Sequence, residues 1–320
     1  MDPDSYIAPP WLPGGHLQTL YPTLFLRGPR LGYRRERWEL DDGDFLDADW
    51  ADGPDDGPLL VLFHGLEGSS ASPYARSLMR AATCRGWRGV VINFRGCSGE
   101  PNRLPRAYFA GDSKEIGHVL ERLRSRFPRA RLHAAGISLG GNALLKWLGE
   151  AGNAAGQFIA SAAAVSAPLD MNTAGAALDL GFNRRVYTAH FLATLKRKSL
   201  AKAARFPGLL DTDAIRAATT FREFDTLVTA RLHGFRDAED YWTRASSKPL
   251  LRHVVVPTLV LNAQNDPFLP ARALPRPHEV SDSVHLLQPQ TGGHVGFPGG
   301  AFPGHIGWLP QRVLDYLARQ

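Results

Sequence analysis

Apolar runs and amphipathic segments alternate along the first half of the chain. LLVLFH (59–64) and GVVINF (89–94) are apolar runs typical of strands covered on both faces. RLHAAG (131–136) is predicted as another strand. Between the strands, an apolar stripe at i, i+3, i+4 and i+7 predicts a helix over 113–127, and residues 73–85 are also predicted as helix. This strand–helix alternation predicts a parallel α/β sheet.

Further segments extend the sheet on both sides. An Asp-Asp-Gly turn near 41–43 separates two β-like segments and predicts a hairpin. Asp112 and Glu115 resemble a capping pair at the start of the helix over 113–127. The remaining predicted elements are hairpin strands at 34–40 and 45–50, a helix at 139–150, strands at 158–167, 254–263 and 284–288, and a helix from Trp308 to the end.

The alternation of strands and helices stops after Pro168. Residues 169–246 have helical patterns without a clear strand, and strand-like sequence returns only afterwards. A long helical insertion between two strands predicts a cap or lid over the site. The alternative, a separate helical domain, would need flexible linkers that the sequence does not show. We therefore expect one domain over 1–320, with 169–246 as its helical cap and 1–33 as an N-terminal extension packed on the body.

Ser138 lies in the motif Gly-Ile-Ser-Leu-Gly, between Gly136 and Gly140. A predicted strand precedes the motif and a predicted helix follows it, which is the context of a nucleophile elbow. The small glycines allow a turn tight enough to raise the serine oxygen above the sheet. Because the motif arises often by chance in a chain with 32 glycines, its context and its later partners carry the prediction.

A serine nucleophile needs a histidine to take its proton and an acid to orient that histidine. His294 is the best placed histidine, since it lies in the glycine-rich TGGHVGF loop after the last predicted strand, although a surface loop histidine is the alternative. Asp266, in LNAQNDPF after a predicted strand, is preferred to Asp170. The order Ser138, Asp266, His294 is that of an α/β-hydrolase. The histidines considered less suitable are His118, His190, His278 and His285.

The backbone amides of Leu66 and Leu139 are the predicted oxyanion donors. Leu139 directly follows the serine, and Leu66 lies in LFHGLEGSS, where the chain can turn toward the serine after an early strand. The sequence contains no His-Glu-x-x-His, paired Cys-x-x-Cys or P-loop motif, and we therefore expect neither a metal nor a cofactor. Cys97 lacks the elbow context, and a packing role is favoured for it.

Composition and charge restrict the setting and the partners. A hydrophobic content of 44% and a charged content of 21% are ordinary for a globular protein. No run approaches the ~20 apolar residues that span a bilayer. The N-terminus has neither a basic start nor an apolar signal core, and two cysteines do not suggest a disulfide framework, so we expect a cytoplasmic protein. No recognised nucleic-acid-binding motif accompanies the net charge of +6, and we expect no nucleic-acid partner.

One segment, 184–205, is rich in basic residues and contains no acid. The simpler interpretation is a solvated helix face. The second is a surface for anionic substrates or for contact with an anionic membrane. The basic residues are Arg184, Arg185, Lys196, Arg197, Lys198, Lys202 and Arg205.

Seven stretches of the sequence stand out: PPWLPGGHLQTLYP (9–22), FHGLEGSS (63–70), NFRGCSGEPNRLPRAYFAGD (93–112), GISLGGNALLKW (136–147), HGFRDAEDYWTRAS (233–246), NDPF (265–268) and GGHVGF (292–297). Together these stretches closely resemble the YheT-like branch of the α/β-hydrolases. The resemblance implies an α/β-hydrolase domain with a helical cap and serine esterase or lipase-type chemistry. It also implies a nucleophile, an acid and a base at Ser138, Asp266 and His294.

The resemblance draws attention to the N-terminal stretch WLPGGHLQTLYP. Its apolar residues would be exposed in a free tail, so we expect it to pack against the body near the cap. Core packing is preferred to a role in lining an acyl pocket. The apolar residues concerned are Trp11, Leu12, Leu17, Leu20 and Tyr21.

Together these inferences predict hydrolysis of a carboxylic ester through an acyl-enzyme, with a short- or medium-chain acyl ester or a lipid ester as substrate. Amide or thioester hydrolysis by the same triad is one alternative. A non-catalytic protein that binds an apolar ligand beneath the cap is another, although pure binding does not require all three residues of a triad. The segment 184–205 adds the prediction of peripheral contact with an anionic membrane surface.

Overall fold

One sheet of eight strands forms the centre of the computed structural model, which describes residues 6–320. The strand order is β1-β2-β4-β3-β5-β6-β7-β8, with β2 antiparallel to both of its neighbours and all other pairs parallel. The predicted hairpin and parallel sheet are therefore confirmed. The strands are β1 (Arg34–Glu39), β2 (Phe45–Ala51), β3 (Leu59–Phe63), β4 (Arg88–Asn93), β5 (Leu132–Ile137), β6 (Ser161–Val165), β7 (Thr258–Leu261) and β8 (Val284–Leu287).

Helices cover both faces of the sheet and fill the segment between β6 and β7. They are α1 (Gly15–Phe25), α2 (Pro73–Cys84), α3 (Ser113–Arg126), α4 (Leu139–Ala151), α5 (Met171–Leu178), α6 (Gly181–Asn183), α7 (Ala189–Arg205), α8 (Thr212–Ala217), α9 (Phe221–Phe224), α10 (Arg231–His233), α11 (Ala238–Ala245) and α12 (Trp308–Ala318). Two π-helical turns, Arg184–Thr188 and Asp225–Ala230, join α6 to α7 and α9 to α10. Short 3₁₀ turns cover Gly152–Gln157, Lys248–His253, Ala271–Ala273 and Pro277–Glu279.

The apolar patterns of the sequence account for the two-sided core. Every residue of β3 is fully buried, because α3 and α4 pack on one face of the sheet and α2 and α12 on the other. The predicted stripe on α3 supplies Ile116, Val119, Leu120 and Leu123, all buried. Complete burial of such a side chain contributes roughly 1.5–3 kcal/mol, so this stripe determines which face of α3 meets the sheet.

Two features of the predicted elements are wrong in detail. Strand β7 begins only at Thr258, because Pro257 has no amide to donate to the sheet. The predicted capping pair does not form: the Asp112 side chain makes no cap hydrogen bond. Its carboxylate instead accepts from Arg106 at 2.6 Å. Glu115 behaves in the same way, since its carboxylate accepts from Arg95 at 2.6 Å. The side chains of Asp112 and Glu115 therefore point inward, where the arginines neutralise their buried charges.

The segment 169–246 contains helices α5 to α11 and no strand. It lies against the body through polar as well as apolar contacts. The Ala110 amide donates to the Tyr241 hydroxyl at 3.0 Å, and the Asn183 side chain donates to the carbonyl of Pro267 at 2.7 Å. Within residues 6–320, every helix is too short or too polar to cross a bilayer.

The N-terminal segment packs on the body through both apolar and polar residues. Leu12 is buried as expected, but Leu17 is 48% exposed, so the packing predicted for it is wrong. The reason is the orientation of α1, whose inward face presents Gln18, Thr19 and Pro22. The first five residues of the predicted extension 1–33 lie outside the described residues.

Candidate active site

Ser138 lies at the sharp turn between β5 and α4. Its backbone has φ 51° and ψ −119°, a left-handed conformation that is strained for any residue with a Cβ. Close packing explains the flanking glycines: a Cβ on Gly136 would lie 2.5 Å from the carbonyl oxygen of Gly140. A Cβ on Gly140 would lie 2.5 Å from the carbonyl oxygens of Phe63 and His64. The predicted strand–turn–helix context of the serine is therefore present.

Ser138, His294 and Asp266 form a continuous hydrogen-bonded chain. The Ser138 Oγ lies 2.9 Å from His294 Nε2, and His294 Nδ1 lies 2.8 Å from Asp266 Oδ2. The second Asp266 oxygen accepts from the Phe268 amide at 2.8 Å, and the Phe268 ring stacks on the imidazole with centroids 4.0 Å apart. Because a carboxylate only accepts, the neutral imidazole carries its proton on Nδ1, which leaves Nε2 to accept from the serine hydroxyl.

The competing residues lie elsewhere. Asp170 caps α5, where its carboxylate accepts from the Thr173 amide at 3.0 Å. His285 is on β8, as predicted, and stacks on Tyr316. His278 is in a 3₁₀ turn. The alternative acid and these alternative bases are therefore not part of the Ser138 cluster.

The loop that contains Leu66 approaches Ser138 from the end of β3. Its neighbours are held from both sides, since the Gly65 amide donates to the Tyr74 hydroxyl at 2.9 Å and the Glu67 amide donates to the Tyr108 hydroxyl at 2.8 Å. A Cβ on Gly65 would lie 3.1 Å from the serine Cβ. Leu139 is the first residue of α4, where helix amides lack intrahelical acceptors. Both predicted oxyanion amides thus lie in the chain segments adjoining the serine.

His64 supports this loop, a role that the sequence reasoning missed. Its Nε2 accepts from the Phe94 amide at 3.0 Å, so the ring proton is on Nδ1, which donates to the Gly65 carbonyl at 2.7 Å. Burial lowers the pKa of His64 to about 4. The ring therefore stays neutral at physiological pH and keeps both hydrogen bonds. A histidine that ends a buried strand just before a glycine was the available signal.

Strained backbone is concentrated around the serine. Five non-glycine residues among residues 6–320 have positive φ: Glu67, Ser138, Ser166, Val295 and Phe297. All but Phe297 line the same cavity, and Val295 directly follows His294. Such conformations cost about 1–3 kcal/mol each and persist only where the surroundings enforce them. This clustering supports assignment of the region as the functional site.

A cavity of about 1140 Å³ opens above Ser138. Its apolar wall comes mainly from 169–246 and from α1, which contributes Leu20. The N-terminal stretch therefore also lines the cavity, although the sequence favours core packing for it. Apolar lining residues include Met171, Leu178, Phe191, Phe221, Trp242 and Phe268.

The basic segment 184–205 is not a simple solvated face. Lys198 forms an ion pair with Glu67 at 2.9 Å. Lys202 donates to the Asn102 side chain at 3.0 Å and to two backbone carbonyls, and burial lowers its pKa to about 8. These two lysines attach α7 to the body and border the cavity. The interpretation as a solvated face is therefore wrong for them, and membrane contact stays a prediction.

A reactive cysteine and a metal site are two further chemistries that the sequence raises. Burial raises the pKa of the Cys97 thiol to about 12, which leaves it protonated and poorly nucleophilic. In the part of the chain that the structure describes, no group of three or more histidine, cysteine, aspartate or glutamate side chains is arranged to hold a metal ion.

Comparisons with known proteins show which family the chain resembles. The family model for the alpha/beta hydrolase fold matches residues 58–301. The chain is 41% identical over 307 residues to YheT of Escherichia coli (strain K12), a match that covers 94% of this chain and 89% of that protein. It is 30% identical over 310 residues to phospholipase ABHD3 of Homo sapiens, over 94% of this chain and 75% of that protein. A solved esterase of Pyrococcus furiosus has a TM-score of 0.59 at 16% identity, over 92% of this chain and 97% of the other, a likeness of fold alone.

Proposed function

The chain belongs to the YheT-like branch of the alpha/beta hydrolase family, an esterase and lipase type, and on that premise we propose that it cleaves carboxylic esters through an acyl-enzyme. The observation that carries the proposal is the chain of hydrogen bonds from Ser138 to His294 at 2.9 Å and from His294 to Asp266 at 2.8 Å. Ser138, at one end of this series of hydrogen bonds, lies at the floor of an apolar cavity. A hydroxyl in that arrangement has its base already in place.

Acylation begins when Ser138 Oγ attacks the ester carbonyl carbon and its proton passes to His294 Nε2. Asp266 orients the ring through Nδ1 and stabilises the imidazolium that forms. The carbonyl oxygen becomes an oxyanion, which accepts from the amides of Leu66 and Leu139. The imidazolium then protonates the leaving alkoxide, and the carbon–oxygen bond to the alcohol breaks.

Deacylation repeats these steps with water as the nucleophile. His294 takes a proton from water, whose oxygen attacks the acyl carbon of the Ser138 ester. The tetrahedral intermediate collapses, the serine oxygen leaves with the proton from the imidazolium, and the carboxylic acid is released. Removal of one oxyanion donor typically costs ~100- to 1,000-fold in rate, so both steps depend on the placement of Leu66 and Leu139.

The segment 169–246 acts as a helical cap on a single domain over 1–320 and shapes the acyl site. Its inward apolar side chains, among them Phe191 and Trp242, line the cavity together with Phe268 from the body. An apolar acyl chain is the substrate portion that such walls favour. The name of the human relative, a phospholipase, is consistent with lipid esters as well as simple acyl esters.

Replacement of the nucleophile tests the proposal. Ser138→Ala should abolish hydrolysis of p-nitrophenyl esters and labelling by a fluorophosphonate, because it removes the hydroxyl that lies 2.9 Å from His294 Nε2. The matched control is Ser125→Ala, on the exposed side of α3, which should retain wild-type rates. Full turnover by Ser138→Ala would refute the assignment. Faster cleavage of matched amides or thioesters than of esters by the wild type would reassign the substrate class.

A further inference from the structure

We propose that helix α1 is a positioning element of the active site, in which Gln18 and Thr19 hold the two loops that carry Asp266 and His294. The inference rests on the proposed function, since it assigns roles toward that acid and that base. The GGHLQT sequence that contains both residues has no role in the triad itself. Thr19 lies at the edge of the cavity, where its hydroxyl is hydrogen-bonded to the main chain of His294 and Gly15.

Thr19 holds the backbone of His294, the proposed general base. Its Oγ1 accepts from the His294 amide at 2.8 Å and donates to the carbonyl of Gly15 at 2.7 Å. Thr19 is only 6% exposed. One hydroxyl thus connects the main chain of His294 to a rigid helix, and the direction of its proton is determined by Gly15.

Gln18 joins the acid loop to the base loop. Its Oε1 accepts from the Asn265 side chain at 3.0 Å and from the Gly292 amide at 2.9 Å. The Asn265 Oδ1 in turn accepts from the Gly293 amide at 3.0 Å. Asn265 immediately precedes Asp266, and Gly293 immediately precedes His294. At 1% exposure, Gln18 therefore sets the separation between the two loops.

Backbone packing makes this contact close and specific. A Cβ on Gly293 would lie 2.8 Å from Thr19 Oγ1, and side chains at Gly15 or Gly296 would overlap the main chain of the opposite segment. The base loop is also strained, with φ 64° at Val295. A further contact holds the same loop from the body, where the Ser166 hydroxyl accepts from the Val295 amide at 3.0 Å. Such a loop keeps its conformation only while its hydrogen-bond partners hold it.

The polar residues on the inward face of α1 indicate that this helix positions the two loops as well as packing against them. An apolar inward face would suffice to bury α1, yet the helix turns Gln18 and Thr19 inward and leaves Leu17, Leu24 and Phe25 exposed. A buried polar group destabilises the fold unless it is hydrogen-bonded, and here the bonds go to the loops beside the acid and the base. Loss of one bond frees a loop whose position must be correct to a fraction of an ångström for proton transfer.

The test compares Thr19→Val, which keeps the shape and removes the hydroxyl, with Thr19→Ser, which retains it. Thr19→Val should lower kcat about 10- to 100-fold on p-nitrophenyl butyrate, because a displacement of about 1 Å can cost a factor of ~100. KM should change less than about twofold, since the cavity keeps its shape. Thr19→Ser should restore most of kcat. Gln18→Met should lower kcat in the same way.

A spectroscopic readout separates positioning from stability. The low-field proton signal of the His294 Nδ1–H that donates to Asp266 should shift or broaden in Thr19→Val and Gln18→Met. The matched control is Thr83→Val on α2, whose hydroxyl donates only to the carbonyl of Arg80; it should retain kcat and the signal at a similar melting temperature. Should Thr19→Val fail to fold, Gln18→Met is judged by the same kcat and proton signal.

The outcomes are distinct from those of the proposed function. A wild type that neither hydrolyses esters nor reacts with a fluorophosphonate refutes the proposed function. An active wild type with unchanged kcat and proton signal in Thr19→Val and Gln18→Met overturns the positioning role. So does a Thr19→Ser variant as slow as Thr19→Val, or an effect confined to KM.

Discussion

Lys198 joins α7 to the loop that carries Leu66, a proposed oxyanion donor, and replacing it should slow the proposed reaction without altering Ser138, Asp266 or His294. Its ammonium lies 2.9 Å from Glu67 Oε1, the same oxygen that accepts from the Tyr108 hydroxyl at 2.9 Å. Glu67 follows Leu66 directly and has φ 54°. We predict that Lys198→Met loosens this strained loop and misplaces the Leu66 amide.

The size of the effect follows from the exposure of the pair. The Glu67 side chain is 10% exposed and that of Lys198 is 38% exposed, so the pair lies between a surface ion pair and a buried charged hydrogen bond. A surface ion pair contributes about 0.2–1 kcal/mol and a buried charged hydrogen bond about 1.5–3 kcal/mol. We therefore expect the Lys198–Glu67 pair to contribute about 1–2 kcal/mol. If all of it holds the loop in its reactive position, kcat falls about 5- to 30-fold. Complete loss of a donor would cost ~100- to 1,000-fold.

The assay is a double-mutant cycle on p-nitrophenyl esters with Lys198→Met, Glu67→Gln and both together. The double variant should be hardly slower than the slower single variant, since both remove the same interaction. Lys196→Met is the matched control, because Lys196 lies on the same helix but donates to the carbonyl of Arg216 within the cap. Strictly additive losses, or equal losses in Lys196→Met and Lys198→Met, would refute the predicted coupling of α7 to the loop that carries Leu66.

Three further predictions concern burial, packing and charge. Burial raises the pKa of Asp225 to about 6, so the folded protein loses stability as the pH rises from about 4 to 6. Asp225→Asn removes this loss. In urea unfolding, the difference in unfolding free energy between the variant and the wild type should therefore be more favourable to the variant at pH 8 than at pH 4, by at most about 3 kcal/mol. Gly140→Ala should cost about 1–3 kcal/mol through overpacking and reduce esterase activity, whereas Gly156→Ala, with no atom within 4 Å of the added carbon, should do neither. Arg185→Gln should weaken sedimentation with anionic vesicles about fivefold at low salt, and salt-independent sedimentation of the wild type would contradict membrane contact by 184–205.

Most of the sheet could be predicted because its information is local. Strands such as 59–63 are buried on both faces and are therefore apolar throughout, and the stripe on α3 has the period of a helix. The proximity of Ser138, Asp266 and His294 could be predicted because the fold places them in loops after strands in a set chain order. The exact start of β7 and the use of Asp112 could not, since each depends on partners distant in sequence.

The supporting residues are less visible in the sequence for a physical reason. Gln18 lies 274 residues before the Gly292 amide that it binds, and Lys198 lies 131 residues after Glu67. Each is a polar residue on an otherwise ordinary amphipathic helix, so a local pattern assigns the first to packing and the second to solvent. Only the folded chain shows that both end on loops with positive φ beside Ser138. Strain in those loops needs restraint from outside them, and α1 and α7, which are far apart in the sequence, provide it.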